Sequence, residues 1–408
     1  MIIREIELGQ FRNYDRQKIV TEPGINVFYG DNAQGKTNIL EAVYLCACAR
    51  SHRTARDAEM IRHQADHYSV RLCFVNQNGS EEEIEIEYLE AVPGDPQRTR
   101  SLRLIRHNGI RLEKVGDLMG IFHAVIFAPE DLMLVKEGPA TRRRYLDLLI
   151  SQVRPSYFLN LQQYSRYLLQ RNKLLKDLRE MRFSGAEGLN EQTRLQLDVW
   201  NQSLAEQAAG LIEQRQIYAR RIAELAGQVQ EKISSGKEKL YVKYRTTAGI
   251  KQEMNRKQIF EVYYNKLKTM VNDDLDKGTT GYGPHRDDLE LSLDGDGLKP
   301  FASQGQQRSA VLSMKLAELA ILRQDTGEAP VLLLDDVMSE LDENRRASLL
   351  DNIKDAQVFV TCTDAQQVVR EIRREQLTAD LNELRSSQEL NHFTYFQVSE
   401  GTVQKLEQ

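Results

Sequence analysis

The stretch Gly30-Asp31-Asn32-Ala33-Gln34-Gly35-Lys36-Thr37 sets two glycines, a lysine and a hydroxyl at the spacing of a phosphate-gripping loop. Each residue type has a task in that chemistry. The glycines let successive backbone N–H groups turn toward one anion, the lysine reaches the terminal phosphates, and the threonine hydroxyl can ligate magnesium. Far along the chain, Asp335 and Asp336 close the apolar run Pro330–Leu334. A carboxylate there can support a metal beside a nucleotide. Two adjacent carboxylates are costly to bury unless a cation or bound water accompanies them. A third polar stretch, Ser303-Gln304-Gly305-Gln306-Gln307-Arg308, opens a helix and offers N–H and hydroxyl donors to a phosphate.

These groups need elements to hold them. Ile25–Tyr29 reads as a buried strand, and 38–50 as a helix rich in Leu, Ala and Glu. Glycines at 30 and 35 would also suit a bare strand-to-helix turn; the Lys-Thr pair in this context favours the phosphate loop, which Asn38 extends. Residues 2–8 alternate as a first strand, and a second candidate strand precedes Pro23-Gly24. Arg12 and Asn13, between them, are read either as contacts to a base or phosphate or as an ordinary polar turn. Further strands are expected at 68–75, 83–89, 101–106, 110–112, 121–127, 289–293, 330–334, 357–360 and 393–398.

The middle of the chain changes character near Gly138-Pro139. Residues 141–182 read as helical with a break or restart at Pro155, and are rich in Lys and Arg. Arg142, Arg143 and Arg144 are consecutive, so they cannot share one helix face; with Arg171, Lys173 and Lys176 they form the candidate contact to a nucleic-acid backbone. A second helix is expected from about Gly188 to Ser234. Leu197, Leu204, Leu211, Tyr218 and Leu225 recur at heptad spacing while Arg215 interrupts the second seam, which suits a short coiled coil or an elongated bundle. Three segments follow: 1–138, an inserted helical arm at 139–275, and 276–408.

At 408 residues the chain can bury a large core, and its net charge of -5 means that a nucleic-acid partner must be met by a local basic face. Cys46, Cys48, Cys73 and Cys362 have neither zinc spacing nor the density of a disulfide scaffold. No stretch has the length of a membrane span and the N-terminus lacks a signal-peptide pattern, so a soluble, cytoplasmic protein with no membrane partner is expected.

The glycine loop, the Gln-rich stretch and the apolar strand with its acidic pair resemble an ATP-binding-cassette head of the structural-maintenance-of-chromosomes type. Phe11–Tyr14, Ser51–Thr54, Ala128–Leu132, Gly283–Leu289, Ser303–Arg308 and Leu334–Asp342 are similar, more closely, to the RecF family of bacterial recombination and repair. The resemblance implies an α/β fold: a cassette-type P-loop NTPase head with antiparallel strands and an inserted helical, short coiled-coil-like domain. It implies ATP and Mg2+ as cofactors, slow ATP hydrolysis and an ATP-dependent homodimer. It implies binding to double-stranded and to gapped or single-stranded DNA in the nucleoid. It also implies work with RecO and RecR in loading recombinase at gaps, in the SOS response and in replication restart.

Carried over by position, Lys36, Thr37, Asp335, Asp336 and Ser303 would perform the chemistry, with Thr37 and Asp335 on the metal. Asp336 stands where glutamate is usual. Ser303, with Gly305 and Gln306 beside it, would face the ATP of the partner subunit. Glu130 stands where many cassette proteins have glutamine, and Thr363 or Asp364 near the usual switch histidine. His285, Arg286 and Asp287 match the family pattern without an assigned task. Two other classes share the nucleotide motifs: a transporter's ATPase subunit, and a structural chromosome-organising ATPase, which would carry a much longer coiled coil.

Overall fold

Alternating side chains build one sheet and unbroken apolar runs build another. The computed structural model describes residues 1–92, 94, 98–183, 190–352, 356–366, 370 and 393–406. In chain order, β1 (Ile2–Phe11) and β2 (Tyr14–Val20) form a hairpin, and β3 (Ile25–Tyr29) leads to α1 (Lys36–Cys48). Next come β4 (His67–Val75), β5 (Glu81–Leu89), β6 (Leu102–His107), β7 (Ile110–Arg111) and β8 (Ala124–Phe127). The middle holds α2 (Met133–Lys136), α3 (Pro139–Val153), α4 (Pro155–Phe183), α5 (Glu191–Ile233), β9 (Leu240–Arg245), α6 (Arg256–Thr269), α7 (Val271–Lys277), β10 (Asp288–Leu293), β11 (Asp296–Gly297) and α8 (Leu298–Phe301). The remainder is α9 (Gln304–Thr326), β12 (Val331–Asp335), α10 (Glu343–Asn352), β13 (Val358–Cys362), β14 (Phe393–Ser399) and β15 (Thr402–Lys405).

These elements fall into two compact units: Met1–Leu132 with Gln228–Lys237 and Gln304–Gln408, and Met133–Gly227 with Glu238–Ser303. The first unit holds both six-stranded sheets. One is antiparallel, ordered β2-β1-β4-β5-β6-β7. Ile6, Leu72, Ile84, Ile86 and Ile105 line its buried face, while Arg71–Glu83 and Arg106–Glu85 pair on the other. That is the alternation expected of a sheet with one wet side.

The other sheet is ordered β15-β14-β3-β13-β12-β8, with every pairing parallel except the β14–β15 edge. Its central strands are buried throughout or nearly so, and Phe28 stacks between Phe359 and Phe396 at 5.8 and 4.7 Å. Parallel strands buried on both faces read as continuous apolar runs. The registers Cys362↔Tyr29 and Asp335↔Thr361 bring the carboxyl ends of β3, β13 and β12 to one edge. Ligands of open α/β sheets bind outside such an edge.

The second unit is helical, with the antiparallel strands β11-β10-β9. Pro155 opens α4 directly after α3, as a residue that cannot donate to the preceding turn should. Gly188, the expected start of the long helix, lies outside the described residues. Along α5, Leu197, Leu204, Leu211 and Tyr218 are buried and Leu225 is half-buried, so the heptad spacing marks a real inward stripe. Strand β9 is an element that the sequence patterns do not announce. Its pairing with β10 draws residues 276–303 into this unit, together with most of the expected 139–275 insertion. Among the described residues no helix is long and apolar enough to cross a membrane.

Candidate nucleotide site

The loop after β3 is braced from two sides. On one side, Asn13 Nδ2 donates to the Gln34 carbonyl (2.8 Å), Tyr14 OH donates to the Gly35 carbonyl (3.0 Å), and Asn38 Nδ2 donates to Asn13 Oδ1 (2.8 Å). On the other, the turn between β14 and β15 donates the Glu400 N–H to Gln34 Oε1 at 2.6 Å. The bracing explains the two glycines. Gly35 has φ +115°, and a Cβ there would lie 2.6–2.8 Å from Asn13 and Tyr14 side-chain atoms; at Gly30 it would lie 2.2 Å from the Val398 carbonyl oxygen. Only glycine fits such an approach and such a φ. Between them, Asp31, Asn32 and Ala33 are exposed.

Lys36 and Thr37 open α1. Lys36 is buried, and its ammonium donates back to the carbonyls of Gly30 (2.7 Å) and Asp31 (2.8 Å), closing the loop on itself. Thr37 Oγ1 donates to Asp335 Oδ1 at 2.9 Å, joining the glycine loop to the acidic strand end across 298 residues of sequence. Thr361 Oγ1, set beside Asp335 by strand register, donates to the same oxygen at 2.7 Å and accepts the Asp336 N–H at 3.0 Å. Asp335 is buried, and burial pushes its carboxyl above the ordinary aspartate range, against the pull of the two hydroxyls. Asp336 is held in the left-handed region at φ 53°, which turns it out of the strand direction. Thr363 and Asp364, beyond the end of β13, are exposed.

Arg12 does not point a free guanidinium at this loop. It forks onto Glu41 of α1 (2.8 and 2.6 Å) and donates to the Glu59 carbonyl. Glu41 is fully buried. Burial would raise its carboxyl, but bonds from Arg12 and Ser51 outweigh that and hold it below its usual value. Arg53 completes the group, donating to Asn38 Oδ1 at 3.1 Å and approaching Glu130 at 4.0 Å. Glu130 is exposed. Glu41 is invisible in sequence, where it reads as an ordinary polar position on a helix, whereas Arg53 stands in the Ser51–Thr54 stretch that carries the family resemblance.

Ser303 is exposed immediately before α9, and Gly305 and Gln306 sit in its first turn, where the Gly305 carbonyl accepts from Arg345 at 2.8 Å. The basic candidates divide sharply. Arg171 is fully buried and bonds Asp274 (2.8 Å), Asn201 (2.8 Å) and Thr280 (2.7 Å), so it is interior structure, not a phosphate contact. Arg142 forks onto Asp288 (2.9 Å twice), and Arg143 donates to the Asp287 carbonyl at 2.7 Å. Arg144 is half-buried; Lys173 and Lys176 are exposed on α4. Helix periodicity turns some members of a basic run inward, and the inward ones found carboxylate or carbonyl partners.

The model of the RecF/RecN/SMC N-terminal domain matches residues 2–379. The chain is 42% identical over 366 residues to the DNA replication and repair protein RecF of Ruminiclostridium cellulolyticum, covering 90% of this chain and 94% of that one. It superposes with a TM-score of 0.84 and 35% identity on a solved structure of the recombination mediator protein RecF with ATP, over 100% of this chain and 98% of the other. An Smc head domain from Pyrococcus furiosus, 15% identical with a TM-score of 0.50 over 99% and 96% of the two chains, shares the fold.

Proposed function

Since this chain belongs to the RecF family within the RecF/RecN/SMC N-terminal-domain group, we propose that it is a DNA-binding ATPase of recombinational repair. In this reading it dimerises on ATP, marks single-strand gaps or duplex/single-strand junctions, and promotes recombinase loading with RecO and RecR. The observation that carries the ATPase part is the 2.9 Å bond between Thr37 and Asp335, which joins a braced phosphate loop to a buried acidic strand end.

Magnesium fits the residues present. A hydroxyl and a carboxylate already converge, and the carboxylate is one whose charged form burial disfavours, so a cation would restore it. Magnesium takes one or two protein ligands and completes its shell with water and phosphate oxygens, so Thr37 and Asp335 suffice. When bound, it neutralises charge on the transferring phosphoryl group. Lys36 exchanges the Gly30 and Asp31 carbonyls for phosphate oxygens, and the N–H groups of 31–37 wrap the same anion. Asp336 orients the attacking water; its side chain is one methylene shorter than glutamate, which is consistent with slow turnover.

Ser303 and the N–H groups near Gly305 complete the site of the opposite subunit, so ATP becomes part of the interface and favours the dimer. Lys173 and Lys176, with Arg144, supply contacts to the DNA backbone. The test is a mixture of two variants followed by sedimentation. Ser303→Arg is expected to bind ATP as a monomer yet fail to dimerise, and Lys36→Ala to lose ATP. Mixed, they share one intact composite site and recover part of the ATP-dependent association that neither shows alone. Dimerisation of Ser303→Arg at the wild-type ATP dependence would remove Ser303 from the interface.

A further inference from the structure

Arg345, in the first turn of α10, spends every nitrogen of its side chain on a different group. Nη1 meets Asp342 Oδ2 at 2.8 Å, Nε donates to Ser309 Oγ at 2.8 Å, and Nη2 donates to the Gly305 carbonyl at 2.8 Å. Ser309 is buried, and its own hydroxyl donates to the same Gly305 carbonyl at 3.2 Å. Asp342 is fixed in turn: its other carboxylate oxygen accepts the Arg345 N–H at 3.0 Å and its carbonyl accepts the Arg346 N–H at 2.9 Å, so it caps α10. One guanidinium therefore ties the end of the acidic loop that starts at Asp336 to the first turn of the helix that Ser303 precedes. The planar fork of arginine suits three fixed acceptors; a lysine ammonium on a flexible stem does not.

We infer that Arg345 is a positioning residue that makes the 336–342 loop and the first turn of α9 one rigid element, coupling Asp336 at the chain's own nucleotide site to the donors beside Ser303 that serve the partner's nucleotide. Service to the partner's nucleotide rests on the cross-subunit role proposed for Ser303; the rigid element itself does not. Without the clamp, each segment orders separately when the dimer closes, and that ordering entropy opposes association. ATP held by the glycine loop of the same chain is untouched, because Arg345 bonds to the 305–309 turn and to Asp342 rather than to that loop.

The test has two arms. In nucleotide-free protein, Arg345→Ala should raise amide hydrogen exchange in 305–309 and in 343–346 together, each by about tenfold, the factor that losing a charge-assisted hydrogen bond carries. By calorimetry the variant should keep wild-type ATP affinity as a monomer, while ATP-dependent association and kcat fall by about tenfold or more. Arg345→Lys, which keeps the charge and loses the fork, should not restore association. Unchanged exchange at 305–309 in Arg345→Ala, or wild-type association by Arg345→Lys, overturns the clamp. If exchange responds but the wild-type chain does not associate on ATP, the clamp stands and the cross-subunit role falls.

Discussion

Asp335 in the first unit, buried, and Asp147 in the second, half-buried, are both carboxylates that accept from hydroxyls, and their surroundings part from there. The hydrogen-bond partners described for Asp335 are Thr37 and Thr361, neutral donors, and burial raises its pKa. Asp147 accepts from Tyr157 OH at 2.5 Å and from the fully buried Arg215 at 2.9 and 3.0 Å. Arg215 goes on to the Pro284 carbonyl (2.7 Å). Tyr244, 3.5 Å from Arg215, donates to Asp287 at 2.7 Å, and Asp287 also accepts from the Thr247 N–H and hydroxyl at 2.7 and 2.9 Å. This network of the second unit closes its charges within itself; the first unit leaves a carboxylate that a cation would complete. The same residue types thus separate into support and chemistry by whether the protein supplies the counter-charge.

The largest effect should come from opening the closed network. Arg215→Ala leaves the half-buried Asp147 without its counter-charge and empties the space of a fully buried side chain, so it should cost about 3 kcal/mol in denaturant unfolding. Wild-type ATP affinity in the folded fraction would show that this network supports structure alone. A loss below about 1 kcal/mol on removal of Arg215 would break the contrast, because water would then replace the guanidinium at Asp147.

His285 gives the next effect. Burial lowers its pKa to about 4, with Tyr164 OH at 2.6 Å from Nδ1 and the Thr280 carbonyl at 3.1 Å from Nε2. The unfolded chain, with a histidine pKa near the ordinary 6.5, binds the proton first as pH falls. Stability should therefore be intact above about pH 6.5, decline as pH drops toward 4, and level off below, losing at most about 3 kcal/mol. His285→Gln should flatten that part of the stability–pH curve; an unchanged slope would take His285 out of it.

At the open site the sign reverses. Asp335→Asn keeps an acceptor for both hydroxyls and removes the buried charge, so nucleotide-free protein should gain stability, by about 1 kcal/mol, while magnesium dependence of ATP binding is lost. A destabilised variant with intact magnesium dependence would make Asp335 another structural carboxylate. The smallest effect lies on the surface. Lys173→Gln with Lys176→Gln should leave melting unchanged and lower the log–log salt slope of DNA binding by about two, one for each phosphate no longer neutralised.

Some of this was written in the chain. The glycine loop, the strand before it and the acidic pair after 330–334 could be read because their signals are local: spacing, an apolar run, a Lys-Thr pair. The heptad positions of α5 and the restart at Pro155 are local in the same sense, and each lies where periodicity or the missing N–H puts it. Periodicity also says that some of a basic run must turn inward, but not which members. Arg171, Arg142 and Arg143 were decided by Asp274, Asp288 and the Asp287 carbonyl, between 103 and 146 residues away. Strand β9 needed β10, and the burial of Glu41 needed Arg12 and Ser51. Residue identity determines what each position can donate, accept or bury; only tertiary structure decides whether that capacity is spent inside the protein, because the partner that neutralises a charge is chosen by distance in space.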